Sequence, residues 1–214
     1  MRTIAVINAK GGCGKTTVAT GLASAMAWEG YSVALADLDP QCSATDWLAE
    51  REEVYPEIVG VESKKGIRAP AGTDVLIIDT PAGVYGKDLS KLLARAETAL
   101  MPILPSPIDM AAAWRFLEQS LALKPIASKQ TQLGLIANRV KPNTIVYREL
   151  TGFLDDYRIP VIGQLRDSMN YVRAFERGLG VSDLPEYLAG EDWAQWDEIV
   201  KWIKSKRSQG KKAK

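Results

Sequence analysis

Histidine is missing from all 214 residues, and cysteine occurs only at Cys13 and Cys42. The first absence removes the commonest proton-transfer group and the commonest zinc ligand. The second leaves too few thiols for a four-ligand metal site, and a disulfide through Cys13 would rigidify a glycine-rich loop. No run of about 18 apolar residues occurs, so nothing reads as a membrane span. The N-terminus enters an apolar strand almost at once, without the charged region and cleavable apolar stretch of a secretory signal. A cytoplasmic protein is therefore expected. Tandem repeats and long internal linkers are lacking too, and 46% apolar content over this length predicts one domain with a substantial core.

What is present begins with the apolar run Thr3-Ile4-Ala5-Val6-Ile7, which leads into Ala9-Lys10-Gly11-Gly12-Cys13-Gly14-Lys15-Thr16-Thr17. This is a strand running into a phosphate-binding loop, with Ala9 at the first position of the pattern Gly, four residues, Gly-Lys-Ser/Thr. Gly11, Gly12 and Gly14 permit backbone angles at which consecutive N–H groups, that of Cys13 included, turn inward on phosphate oxygens. The helix-compatible segment from Thr16 to Trp28 adds the dipole of its N-terminus. Lys15 is placed to reach the β- and γ-phosphates, Thr16 to ligate magnesium, and Thr17 to bond the α-phosphate. Lys10 is a second lysine, which the generic loop does not require.

Two further apolar runs end in carboxylates. Tyr31-Ser32-Val33-Ala34-Leu35-Ala36 runs into Asp37-Leu38-Asp39-Pro40-Gln41, and Val75-Leu76-Ile77-Ile78 into Asp79-Thr80-Pro81-Ala82-Gly83. Such runs read as buried parallel strands, and their C-terminal ends open on the crevice where α/β sheets bind ligands. Any one of these aspartates alone would read equally well as a helix cap or turn residue. Several at neighbouring strand ends favour a site for magnesium and an attacking water.

These motifs resemble the deviant Walker ATPases of the ParA/MinD type. The resemblance extends through Pro102-Ile103-Leu104-Pro105-Ser106-Pro107-Ile108-Asp109, the strand ending Ala137-Asn138-Arg139, and Tyr171-Val172-Arg173-Ala174-Phe175-Glu176-Arg177-Gly178, about residues 1–185. It implies that ATP and Mg2+ are the cofactors and that Lys10 crosses a homodimer interface to the phosphates of the partner's ATP. Lys10, Lys15 and Asp39 would be catalytic, with Asp39 supporting water attack. Thr16, Asp39 and Asp79 would hold the metal, and Asn138 would contact adenine. Without histidine, the iron–sulfur branch of the superfamily is disfavoured. With no residues for an N-terminal DNA-reading domain, the chain resembles the small ParA kind.

The remaining pattern alternates strand and helix. Further strands are expected near Ile58 to Val61, Thr98 to Leu104, Leu133 to Asn138 and Val161 to Gln164. Helices are expected over Ser43 to Arg51, Lys87 to Arg95, Ala111 to Leu123, Thr144 to Tyr157 and Met169 to Arg177. The fold class is α/β: a single-domain P-loop NTPase whose mostly parallel twisted sheet carries helices on both faces. Glu62 to Gly72, with Lys64, Lys65 and Arg68, reads as a solvated loop or a partner-contact surface. The ATPase domain is expected over residues 1–207, including a C-terminal amphipathic helix, with residues 208–214 a disordered basic tail.

Charge is unevenly distributed. The chain totals +1, yet from Lys201 onward seven cations and no acidic residue leave 20 basic against 26 acidic residues before them. Such a run reads as a solubilising tail or as an electrostatic footprint for nucleic acid. The resemblance favours non-specific double-stranded DNA, with Arg166, Arg173, Arg177, Lys201 and Lys204 as candidate contacts. Dimerisation would make that surface bivalent. On the last helix, Trp193, Trp196, Val200 and Ile203 share one face, which packs on its own domain or lies on an anionic membrane, as in the MinD branch. The expected function is a nucleoid-associated ATPase that partitions or positions a cargo, such as a plasmid or carboxysome. A cargo-linked ParB-like or adaptor protein would stimulate its slow hydrolysis. The alternatives are a membrane-associated positioning ATPase and an ATP-dependent metabolic enzyme on the same fold.

Overall fold

The computed structural model describes residues 1–61, 66–155 and 159–211. The first strand, β1 (Arg2–Val6), sits mid-sheet, between β4 (Val75–Asp79) and β5 (Thr98–Ile103). Outward on one side come β2 (Val33–Asp37) and β3 (Ile58–Val61), and on the other β6 (Gln132–Val140) and β7 (Val161–Arg166). The seven-stranded order is β3-β2-β4-β1-β5-β6-β7, and every pairing is parallel.

A parallel sheet covered on both faces needs strands that are apolar at every position, and β1, β2, β4 and β5 are buried almost end to end. Alternation along β1 splits the core in two. Ile4 and Val6 pack with α1 (Lys15–Trp28), α2 (Ser43–Ala49) and α8 (Glu186–Lys204). Ala5 and Ile7 face α3 (Gly86–Leu93), α4 (Pro107–Ala122) and α6 (Ile145–Asp155). Close packing on the first face depends on a missing side chain, since a Cβ on Gly163 of β7 would overlap Ile199 of α8.

The strand and helix expectations hold, with differences at the ends. Tyr31 and Ser32 precede β2, and β6 and β7 each run two residues further than expected. Pro125 cannot continue α4, and it opens instead a short α5 (Lys124–Ala127) that the pattern did not reveal. Glu62 to Lys65 and residues 156–158 lie outside the described residues, and with them part of the expected 62–72 loop and the end of the helix expected through Tyr157.

At the C-terminus the expectation that the apolar face of α8 packs on its own domain holds: Trp196, Val200 and Ile203 are buried with Ile199 against β7 and α1, and Trp193 is partly buried beside Leu184 and Ala189. The expected boundary at 207/208 cuts through an ordered segment. Ser208 is fully buried, its carbonyl accepts from Thr98 Oγ1 at 2.6 Å, and its hydroxyl donates to the Ile203 carbonyl at 2.6 Å. The Lys211 N–H donates to the Lys129 carbonyl at 2.8 Å, so the chain is docked through Lys211, and of the expected tail residues 212–214 lie outside the described residues. The physical reason is that Arg2 and Thr98, at the N-terminal edge of the sheet, need acceptors, and this segment supplies them.

Candidate nucleotide site

A cavity of about 1090 Å³ opens at the C-terminal edge of the sheet. The loop between β1 and α1 forms its floor, with Gly11, Gly12, Gly14, Lys15, Thr16 and Thr17 on the lining. Gly12 and Gly14 have φ of 75° and 92°, the left-handed region in which a side chain is strained. Gly14 occupies the N-cap of α1, where a Cβ would also overlap the Asn138 amide.

Asn138 lies on the cavity lining and is also tied to the phosphate loop. Its Nδ2 donates to the Cys13 carbonyl at 2.9 Å, and its Oδ1 accepts from the Arg139 N–H at 3.0 Å. The side chain is buried and braces the phosphate loop, while still reaching the lining. Cys13 is buried as well; its thiol donates to the Lys10 carbonyl at 3.2 Å, and burial pushes its pKa up.

The two lysines are held differently. Lys15 Nζ donates to the Lys10 carbonyl at 3.1 Å, which folds its stem back along the loop. Lys10 Nζ turns away and pairs at 2.6 Å with Asp109 Oδ1 on α4. Ser106 caps α4, accepting from the Asp109 N–H at 3.2 Å, and its hydroxyl bonds the other Asp109 oxygen at 2.5 Å. Sequence reasoning passed over Asp109 as a partner of Lys10; its signal was the Ser-x-x-Asp spacing of a helix start.

The carboxylates divide by role. Asp37 Oδ2 accepts from the N–H groups of Ala44 and Thr45, each at 2.9 Å, and so caps the start of α2. Asp39 lies two residues on, on the cavity lining, with one oxygen accepting from the Gln41 N–H at 3.0 Å. Asp79 ends β4, fully buried, with neither oxygen bonded among the described residues. Burial raises its pKa to about 6, offset in part by the facing Thr16 hydroxyl.

A buried carboxylate beside a threonine hydroxyl, at the mouth of a phosphate loop, suits a hard divalent cation. Magnesium takes one or two protein groups and completes its shell from phosphate and water. Thr16 and Asp79 fit that description, with Asp39 at the rim.

The candidate DNA contacts do not form one surface. The Arg166 guanidinium grips the buried Asp192, Nε to Oδ1 at 2.6 Å and Nη2 to Oδ2 at 3.0 Å, and also pairs with Glu191. That commits Arg166 to tying β7 to α8. Arg173 lies on α7 (Met169–Phe175), and Arg177 follows in the turn after it; both are exposed. Lys201 and Lys204 lie at the opposite end of α8, where Lys204 pairs with Glu29 at 2.5 Å. The Leu188 carbonyl meets Asn170 of α7, while the Ile203 carbonyl meets Arg2, so about 22 Å of helix separates the two groups.

Comparison with known proteins agrees with this geometry. Residues 4–181 match the model of the CobQ/CobB/MinD/ParA nucleotide binding domain. The maintenance of carboxysome distribution protein A of Halothiobacillus neapolitanus is 26% identical over 190 residues, covering 85% of this chain and 87% of that protein. Among solved structures, the MinD cell division protein of Aquifex aeolicus superposes with a TM-score of 0.73 at 18% identity, over 96% of this chain and 98% of the other. The ATP complex of a Cyanothece McdA variant gives 0.74 at 16% identity, over 95% and 96%. At those identities the structures speak for the fold, whereas the domain match covers most of the sequence. This chain belongs to the CobQ/CobB/MinD/ParA nucleotide-binding family and is ParA-like within it.

Proposed function

We propose that the chain is an ATPase that dimerises around ATP, holds non-specific double-stranded DNA while dimeric, and positions a large cargo. Phosphoryl transfer to water asks a protein mainly for placement and charge neutralisation. The loop N–H groups and Lys15 would hold the β- and γ-phosphates, with Thr17 on the α-phosphate. Magnesium, held by Thr16 and Asp79 with Asp39 near, would supply a second positive charge at the γ-phosphoryl oxygens. Asp39, with one oxygen unbonded among the described residues and at the cavity rim, would orient the attacking water.

The observation that carries this reading is the direction of Lys10. Its amine leaves its own loop for Asp109, although the loop is where an anion would sit. A lysine that does not serve its own phosphates is free to serve a neighbour's, once it exchanges the Asp109 carboxylate for phosphate oxygens across a seam. Hydrolysis would then wait for the dimer, and a cargo-linked ParB-like or adaptor protein would accelerate it. Likeness to a protein named for carboxysome distribution supports a large assembly as the cargo, with plasmids the next class. The dimer's DNA affinity would place it on the nucleoid.

The test replaces Lys10 with Ala and with Gln, then measures ATP turnover and ATP-dependent dimerisation by light scattering. Both should be lost, while binding of a fluorescent ATP analogue to the monomer should change less than about threefold, because Lys15 and the loop's backbone N–H groups remain and only a side chain that points away from them is altered. Unchanged turnover and unchanged dimerisation would overturn the reading.

A further inference from the structure

A second cavity, of about 450 Å³, lies at the far end of α1 from the phosphate loop. It opens between the last turn of α1, the 3-10 turn Val181–Asp183 and the middle of α8. Its apolar lining includes Trp28, Trp193, Trp196, Leu184 and Val200. Two of the indoles are pinned: Trp28 Nε1 donates to Asp183 Oδ1 at 2.7 Å, and Trp193 Nε1 to the Val181 carbonyl at 2.8 Å. Trp28 is nevertheless 54% exposed. A ring held in place but left open to solvent has little more freedom to lose on binding, which is the character of an interface anchor.

Charge narrows the occupant. The titratable side chains on the lining are Glu29, Asp183 and Asp197, all carboxylates, and no lysine or arginine lines it among the described residues. Asp183 is buried and neutralised by Arg51 at 2.8 Å. Asp197 is exposed without an ion pair among the described residues, and the Glu29–Lys204 pair is exposed enough for another cation to exchange into it. An anion would be repelled here, and a wholly apolar group would leave the rim carboxylates unmatched. A cation with an aliphatic stem satisfies both the indole faces and the rim.

We propose that this cavity docks a short basic segment of a protein partner. An Arg or Lys would lie over Trp28 with its charge toward Asp197 and Glu29, and a neighbouring apolar side chain would enter against Trp196 and Leu184. The 14 residues of α1 set the cavity about 20 Å from the phosphate loop, so a nucleotide bound there would not itself fill the seat. The inference rests on the proposed function only in assigning the segment to the cargo-linked partner.

The probes are an acetylated decapeptide of alternating Arg and Leu, its Glu–Leu counterpart, and an uncharged Gln–Leu control. Each is titrated into protein labelled with 15N at the tryptophan indoles. The Arg peptide should shift the Trp28 and Trp193 indole resonances saturably, and the other two should not. Asp197→Lys, a surface change that leaves folding intact, and Trp28→Ala should each weaken the Arg peptide by about tenfold or more while ATP binding stays unchanged. Silence of both indoles, an equal response to the Gln or Glu peptide, or undiminished binding to Asp197→Lys would overturn the proposal. So would a change in self-association of Asp197→Lys, which would assign the cavity to a second copy of the chain. ATP-dependent dimerisation of the unsubstituted protein is followed in parallel; its absence would sink the positioning role while leaving the peptide result standing.

Discussion

At the scale of single residues, the site is organised by what each carboxylate lacks. Asp37 has four donors, three of them from the start of α2, whereas Asp79 has none of good geometry among the described residues and is fully buried. Its pKa is raised to about 6, above the ordinary value near 3.9. The sign follows from burial: folding favours the neutral form, so the charged form carries a penalty above about pH 6 that is relieved as pH falls toward 3.9. In chelator and without nucleotide, Asp79→Asn should therefore be more stable than the parent at pH 7.5, on the order of 2 kcal/mol. The gap should shrink toward pH 5. Urea denaturation at both pH values measures it, and a gap that widens on acidification would refute the assignment. Magnesium reverses the balance, since it needs the carboxylate ionised; the gain in nucleotide affinity that magnesium provides should fade below about pH 6.

At the scale of elements, the glycines of the sheet decide how closely α8 can lie. A Cβ on Gly163 would meet Ile199, so Gly163→Ala should destabilise by about 1–3 kcal/mol through overpacking. Combined with Ile199→Ala, its cost should be markedly less than additive, because the second change vacates the space the first one fills. Urea unfolding of the single and double variants checks this; full additivity would mean that the two positions do not touch. The same elements explain what was legible in advance. Strands such as β4 carry continuous apolar runs ending in a carboxylate, and the phosphate loop carries its glycines and Lys15-Thr16, so local chemistry sufficed for both. Asp109 and Asn138 were harder. The first meets Lys10 across 99 residues of chain and the second meets Cys13 across 125, contacts that only the closed sheet creates. The docking of Ser208 was hidden for a similar reason, since its partners Arg2 and Thr98 converge only at the N-terminal edge of the sheet.

At the scale of the whole molecule, the two basic groups stand in different relations to a dimer formed across the nucleotide cavity. Arg173 and Arg177 sit beside that cavity, which α7 helps to line, whereas Lys201 and Lys204 sit at the other end of α8, near the N-terminal edge of the sheet. In a dimer formed across that cavity, the first group would come next to its counterpart and the second would not. Two patches held rigidly together bind a polyanion far more tightly than one, so the gain in DNA affinity on going from ADP to ATP should depend on Arg173 and Arg177. Replacing both with Glu should remove most of that gain. Replacing Lys201 and Lys204 should instead lower binding by a similar factor in either nucleotide, with a shallower dependence of affinity on salt. Fluorescence anisotropy with a random-sequence duplex, at several salt concentrations with ATP and with ADP, separates the two effects. If the α8 substitutions abolished the nucleotide dependence and the α7 substitutions left it intact, the seam would lie elsewhere on the molecule. If the nucleotide made no difference to the unsubstituted protein, DNA binding would be independent of the dimer altogether.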